Sequence, residues 1–179
     1  MLYVTYFDAC AAVKLVVKEP GFENVRKHFQ QHPPNYMTSL CFAEALGVLK
    51  RKMARKELTR EGYFDACYML IAYLTGPPLR LHLDDTININ MDTFIQAEAL
   101  AQKHELDLSD ALQIITVKNG KFKNWAQESK TVLATADCAL IRAAEDQGLL
   151  AWNVIDSPEP PPWQQGPLVT RRPQKLDEL

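Results

Sequence analysis

The sequence predicts an α/β protein with a mostly parallel central sheet, and two observations support that prediction. Short apolar runs rich in β-forming residues recur along the chain, and each is too short for a helix. Segments with apolar residues at helical spacing separate them. Strands that alternate with helices favour parallel pairing, because a crossover helix brings the chain back to the same edge of the sheet.

Most elements of the first half end at a residue that breaks helices or strands. The predicted elements are a strand over Leu2–Phe7, helices over Cys10–Lys18 and Phe22–Gln31, a short extended piece at Tyr36-Met37, a helix capped by Thr38 or Ser39, and a helix from Thr59 to about Leu74. Pro20-Gly21 ends the first helix and Pro33-Pro34 ends the second.

The second half continues the alternation and then changes character. Its predicted elements are strands over Leu79–Leu83, Val132–Thr135 and Leu149–Ile155, helices over Met91–His104, from Ser109 to about Val117 and from about Asp137 to Asp146, and a polar loop over Asn119–Lys130. Six of the 11 prolines lie between Pro158 and Pro173. We therefore expect one domain over residues 1–155 and a proline-rich tail over residues 156–179.

Composition limits the function classes. With 47% hydrophobic residues the chain is globular, not disordered. Its 20 Lys+Arg against 22 Asp+Glu give a formal charge of −2, so it lacks the general basic character of many nucleic-acid binders. Four cysteines without paired metal-ligand spacing favour reduced thiols and a cytoplasmic protein. No apolar run is long enough to span a bilayer, so we expect no membrane association.

Four acidic residues stand where a site is expected. Asp8 follows the first strand, Asp137 lies two residues beyond a later strand, and Asp110 begins a helix. Strand carboxyl ends and the neighbouring helix starts form the ligand crevice of open α/β sheets. Each of these aspartates can equally be a helix-start residue. Glu44 lies mid-helix among apolar residues, where it either has a buried partner or faces solvent.

If these carboxylates converge, they need a cation. Two unit charges 4 Å apart repel by about 4 kcal/mol at an effective dielectric constant near 20. A cluster of oxygen ligands alone suits Mg²⁺ or Mn²⁺ better than Zn²⁺. Such sites usually act on phosphates, and the sequence therefore indicates metal-assisted phosphodiester hydrolysis.

Four short motifs resemble those of the PIN-domain nucleases, in particular the VapC-like toxin group. They are Tyr6-Phe7-Asp8-Ala9-Cys10 through Leu15 with Glu19-Pro20-Gly21, Thr38-Ser39-Leu40 through Ala43-Glu44, Leu108-Ser109-Asp110-Ala111, and Thr135-Ala136-Asp137. The resemblance covers about residues 1–155 and reproduces the family order Asp, Glu, Asp, Asp.

The resemblance implies a three-layer α/β/α fold and an Mg²⁺- or Mn²⁺-dependent endoribonuclease. For the toxin of a type II toxin–antitoxin system it further implies an RNA substrate, an antitoxin protein that blocks the site, and commonly a homodimer. Asp8 and Asp110 would be the principal metal ligands. Glu44 and Asp137 would complete the acidic pocket, bind a second metal or orient the attacking water.

The resemblance also implies supporting residues. Ser109 and Thr135 would be hydroxyls that hold the carboxylates in place. The family often has a hydroxyl residue where this chain has Ala9-Cys10, so we expect one hydrogen bond near the metal to be missing or weakened.

A basic run near residues 50–60 has two interpretations; it contains Lys50, Arg51, Lys52, Arg55 and Lys56. It is either a solvated helix end, where cations are favoured, or a contact for the RNA phosphate backbone. Because metal ions would offset the acidic pocket and this run would supply a positive rim, the charge of −2 does not exclude RNA as a substrate.

Two other functions stay open. A non-catalytic PIN-like module would bind RNA or protein without cleaving it. A metal-dependent phosphatase would act on small molecules, but the sequence has neither an Asp-x-Asp signature nor a glycine-rich phosphate loop.

Overall fold

A computed structural model describes residues 3–161 of the chain. The strands are β1 (Val4–Phe7), β2 (Asn35–Met37), β3 (Leu81–Leu83), β4 (Thr131–Thr135) and β5 (Leu150–Asn153). The helices are α1 (Ala9–Val16), α2 (Phe22–Gln31), α3 (Ser39–Ala54), α4 (Arg60–Thr75), α5 (Met91–His104), α6 (Leu108–Asn119), α7 (Lys123–Gln127) and α8 (Cys138–Asp146).

The predicted α/β class is confirmed, and the sheet is entirely parallel among the described strands. Its strand order is β3-β2-β1-β4-β5. Strand side chains alternate between two cores. Phe7 packs in the core that contains α1 to α4, whereas Tyr6 packs in the core that contains α6 to α8. The helix α5 packs on α6. The result is the expected three-layer α/β/α arrangement, and burial on both faces explains why β1 and β4 are mostly apolar.

The parallel pairing places the ends of all the strands on one edge of the sheet. Phe7 pairs with Ala134 across β1 and β4, and Met37 pairs with Leu83 across β2 and β3. The residues that follow these strands therefore share this edge, which we call the carboxyl edge. It includes Asp8 after β1.

The structure decides between two predicted helix caps and corrects two other local predictions. Thr38 caps α3, since its hydroxyl accepts the N–H of Cys41 at 3.1 Å. The sequence offers Ser109 as the cap of the helix that follows it, but that prediction is wrong, because α6 begins at Leu108 and Asp107 occupies the capping position. The loop predicted over Asn119–Lys130 contains α7, which forms because Ala126 is buried against the sheet.

The first residues beyond position 155 contact the domain. The carbonyl of Ser157 accepts the indole N–H of Trp152 at 3.0 Å, and Glu159 pairs with Lys27 on α2 at 3.0 Å. Pro160 is buried. The domain's contacts therefore continue to this point, and residues 162–179 of the predicted tail lie outside the described residues. Among the described helices, none combines the length and the apolar character needed to cross a membrane.

Candidate active site

Asp8 lies at the carboxyl edge between β1 and α1, and it is only 5% exposed. Its Oδ2 accepts the hydroxyl of Thr135 at 2.6 Å and the thiol of Cys10 at 2.8 Å. Burial raises the pKa of Asp8, while the thiol and then the hydroxyl lower it. Thr135 thus holds the carboxylate in place, and two donors fix the orientation of Asp8.

Cys10 occupies the position where a weakened or missing hydrogen bond was expected. The bond to Asp8 is present, with a thiol as donor. The sulfur also accepts the N–H of Ala136 at 3.1 Å and lies 3.5 Å from the hydroxyl of Thr135. The bond is therefore not missing, and its donor is a thiol, which donates more weakly than a hydroxyl.

Glu44 projects from α3 toward the other acids and is half-buried. Its Oε2 is buried and has no hydrogen-bond partner among residues 3–161. Burial and the charge of Asp8 raise the pKa of Glu44, whereas a hydrogen bond with Ser109 and the charge of Arg51 lower it. The hydroxyl of Ser109 therefore interacts with the carboxylate of Glu44, and it does not cap α6.

Asp110 lies in the first turn of α6, where several acidic side chains meet. Its pKa is raised from the ordinary value of 3.8 to about 7, first by burial and then by the charges of Asp8, Glu44, Asp137 and Asp107. The charges of the other three predicted acids, Asp8, Glu44 and Asp137, thus all reach Asp110 at the carboxyl edge. We call these four the acidic cluster.

Asp107 is a fifth acid that sequence reasoning missed. It raises the pKa values of both Glu44 and Asp110. It precedes Asp110 by three residues, so the two lie on the same side of the helix start. That spacing was the available signal.

Asp137 differs from the other members of the cluster. It is exposed, and its Oδ1 caps α8 by accepting the N–H groups of Ala139 at 2.6 Å and Leu140 at 3.0 Å. Asp8 also precedes a helix, but within residues 3–161 its side chain makes no capping hydrogen bond to α1. The helix-start interpretation therefore applies to Asp137, whose charge nevertheless reaches Asp110.

Gln113 is a second residue that the sequence did not reveal. It is fully buried on α6, and its amide donates to the carbonyl of Phe7 at 3.2 Å. This bond fixes α6 against the end of β1, so that Asp110, one turn earlier, stays beside Asp8. The only signal was a glutamine within the apolar run Ala111 to Ile115.

The donor chemistry of the acidic cluster fits a hard divalent cation. It consists of carboxylate oxygens, one of which is the buried and unpartnered Oε2 of Glu44. Mg²⁺ and Mn²⁺ prefer such ligands and would relieve the repulsion that raises the pKa of Asp110. Among residues 3–161, however, no group of three or more His, Cys, Asp or Glu side chains lies close enough together to hold a metal ion.

The basic run on α3 is divided between two environments. Lys52 pairs with Glu19 at 2.8 Å and with Glu57 at 3.1 Å, and Glu19 also pairs with the nearly buried Lys14 at 2.6 Å. Lys52 is therefore part of an internal ion-pair network. The other members of the run are exposed; they are Lys50, Arg51, Arg55 and Lys56.

Comparisons with known proteins support the fold and give no evidence about the function. No protein-family model matches the sequence, and no curated protein matches it. Among solved structures, the chain is similar to the crystal structure of PAE2754 from Pyrobaculum aerophilum, with a TM-score of 0.53 and 17% identity over 84% of this chain and 90% of that chain. At that identity the likeness shows a shared fold alone. The chain is thus a three-layer α/β/α protein with acidic residues gathered at the carboxyl edge of its sheet.

Proposed function

We propose that this protein is a metal-dependent endoribonuclease of the PIN-domain type. The observation that supports it is the gathering of four carboxylates around Asp110, with one buried oxygen of Glu44 left without a partner. Such crowding destabilises the folded chain unless a cation is bound. A phosphodiester substrate suits the cation that this cluster would select.

Individual side chains have distinct roles in this proposal. Asp8 and Asp110 hold the cation, which when bound supplies positive charge where negative charge builds up on the phosphate oxygens. Thr135 and Cys10 hold the carboxylate of Asp8, and Ser109 holds that of Glu44. Glu44 would complete the acidic pocket, and its carboxylate would bind a second cation or orient the attacking water.

The RNA backbone and the protein partners complete the proposal. Lys50, Arg55 and Lys56 are exposed at the end of α3 and would contact phosphates beyond the cleavage site. Following the family resemblance, the protein would be the cytoplasmic toxin of a type II toxin–antitoxin system. An antitoxin protein would cover the acidic cluster, and two copies of the chain would form a homodimer.

A cleavage assay on total RNA tests the activity. We expect cleavage with Mg²⁺ or Mn²⁺, loss of cleavage after chelation, and loss in Asp8→Asn and Asp110→Asn. Asp92→Asn is the matched control, because Asp92 is an exposed first-turn residue of α5 outside the cluster. Full activity after chelation would refute the proposal. RNA binding without cleavage under either metal would instead favour the non-catalytic PIN-like module.

A further inference from the structure

A small cavity lies at the carboxyl edge beside the acidic cluster. It has a volume of about 80 Å³, and its lining includes Ser39, Leu40, Asp85, Ile87, Ile89 and Leu112. The cavity lies along the same edge of the sheet as the cluster. Thr38 lines it and follows β2, which pairs with β1, and Asp8 follows β1. Leu40, also in the lining, lies one turn before Glu44 on α3. An RNA strand bound at the cluster would therefore pass close to this cavity.

The lining combines apolar side chains with polar ones; the apolar residues are Leu40, Ile87, Ile89 and Leu112, and the polar ones are Thr38, Ser39, Asp84, Asp85 and Thr116. The carboxylate of Asp85 accepts both the N–H of Ser39, at 2.9 Å, and the hydroxyl of Ser39. Each carboxylate oxygen retains a second lone pair for a further donor. None of the described lining residues is basic, so the cavity does not suit a phosphate group. It suits a flat, uncharged ring that carries N–H donors.

The neighbouring Asp84 keeps the wall of this cavity in place. It is 1% exposed and accepts hydrogen bonds from the hydroxyl of Tyr6, from the N–H and the hydroxyl of Thr86 at 3.1 and 2.7 Å, and from the N–H of Lys121 at 3.3 Å. Both oxygens of Asp84 are thus engaged by the protein. Asp85, one residue later, is exposed and presents the carboxylate that a ligand can reach.

We propose that this cavity is a base pocket that receives one base of the RNA substrate next to the cleaved phosphate, with guanine preferred. The inference rests on the proposed function. Guanine carries two adjacent N–H donors that can face one carboxylate, whereas uracil flanks its single N–H with carbonyl oxygens that the carboxylate repels. A volume of about 80 Å³ accommodates the edge of one ring. Single-stranded RNA displays bases in a form that such a pocket can bind.

The pocket also accounts for exposed apolar side chains at this edge. Leu40 and Ile89 are 38% and 52% exposed. Large apolar side chains grouped at a surface usually mark a binding site. A base inserted between them would bury this surface, while its N–H groups reach Asp85.

Binding of free nucleosides tests the pocket without metal or phosphate. Guanosine, adenosine, cytidine and uridine are titrated into the full chain, and methyl NMR signals are followed. We expect guanosine to shift the signals of Ile87, Ile89 and Leu112, with uridine about tenfold weaker, as for loss of a bidentate base contact. Ile89→Trp should fill the pocket and abolish binding. Ile71→Trp on α4 is the control, because Ile71 is similarly exposed, at 45%, and lies outside the lining.

A second variant tests the recognition group itself. Asp85→Asn should remove the preference for guanosine over uridine, because an amide no longer offers two acceptors side by side. Equal affinity for all four nucleosides in the parent chain would overturn the proposal. The proposal would also be overturned if the methyl signals shifted with protein concentration and not with added nucleoside. That result would mean that a second copy of the chain covers the cavity.

The outcomes separate this pocket from the proposed nuclease. A chain that cleaves RNA but shows no guanosine-dependent shifts at these methyl groups refutes the pocket and keeps the nuclease. A chain that binds guanosine at this place but cleaves no RNA supports the pocket and refutes the nuclease.

Discussion

The hydroxyl of Thr135, the last residue of β4, donates a 2.6 Å hydrogen bond to Oδ2 of Asp8, the first residue after β1. The bond depends on the parallel register that pairs Phe7 with Ala134. It joins the central strand β1 to its neighbour β4 at the point where the acidic cluster begins. The geometry of the cluster is therefore a direct product of strand pairing.

Thr135→Val should weaken the site while keeping the shape of the side chain. Asp8 is buried and would lose a charge-assisted donor, so we expect a loss of about 1–3 kcal/mol in the free energy of unfolding. Urea denaturation measures this value. Thr135→Ser retains the hydroxyl and should stay close to the parent protein. Equal stability of all three proteins would show that the bond contributes nothing.

Asp110→Asn should stabilise the metal-free protein at high pH. The pKa of Asp110 is about 7 in the folded chain and 3.8 ordinarily, so between these values the folded state binds more protons than the unfolded state. Stability contributed by the protonated form is therefore lost as the pH rises from about 4 to about 7. Because the group is partly exposed, we discount the shift and expect the variant to gain about 1–2 kcal/mol at pH 8.

Denaturation with a chelator present, at about pH 4 and about pH 8, measures that gain. The difference between Asp110→Asn and the parent protein should disappear at the lower pH, where both side chains are neutral. A difference of the same size at both pH values would contradict the raised pKa of Asp110.

Cys10→Ser and Cys10→Ala should differ. Serine preserves a donor to the carboxylate of Asp8. Alanine removes that donor and leaves the hydroxyl of Thr135 as the side-chain donor to Asp8 within residues 3–161. We expect the alanine variant to lose about 1 kcal/mol of stability relative to the serine variant. Thermal unfolding followed by circular dichroism compares them. If serine and alanine have the same effect, the thiol packs beside Asp8 without supporting it.

Glu19→Gln should destabilise the protein more than Glu57→Gln. Glu19 joins Lys14, whose side chain is 6% exposed, to Lys52, so its loss leaves a buried ammonium group without its anion. We expect a cost of about 2–4 kcal/mol, compared with at most about 0.5 kcal/mol at the exposed Glu57. Urea denaturation of the two variants provides the comparison. Similar small losses in both would show that the network is no stronger than a surface ion pair.

Much of the fold could be predicted because the strands and helix ends have local signals. Apolar runs identified the strands, prolines marked helix ends, and Thr38 was one of two candidate caps. The segment that forms α7 carried no such signal, because it is stabilised by burial of Ala126 against the distant sheet. Tertiary contacts, and not the local sequence, therefore determine that this helix forms.

The acidic cluster, too, could be predicted only where local sequence determines it. Chain order alone directed Asp8 and Asp137 to one edge, because strands that pair in parallel end together. The orientation of Glu44 depends on how α3 packs, and the sequence left it open. The contribution of Gln113 depends on Phe7, a partner far along the chain. The bond from Cys10 to Asp8 is local, but its sulfur is also held by the N–H of the distant Ala136.

The acidic cluster is proposed to hold a divalent cation. Isothermal titration of Mn²⁺ into the metal-free full chain measures whether it does. We predict saturable binding that is lost in Asp8→Asn and Asp110→Asn and retained in Asp92→Asn. Absence of saturable binding in the parent protein, or binding that survives in both cluster variants, would contradict it.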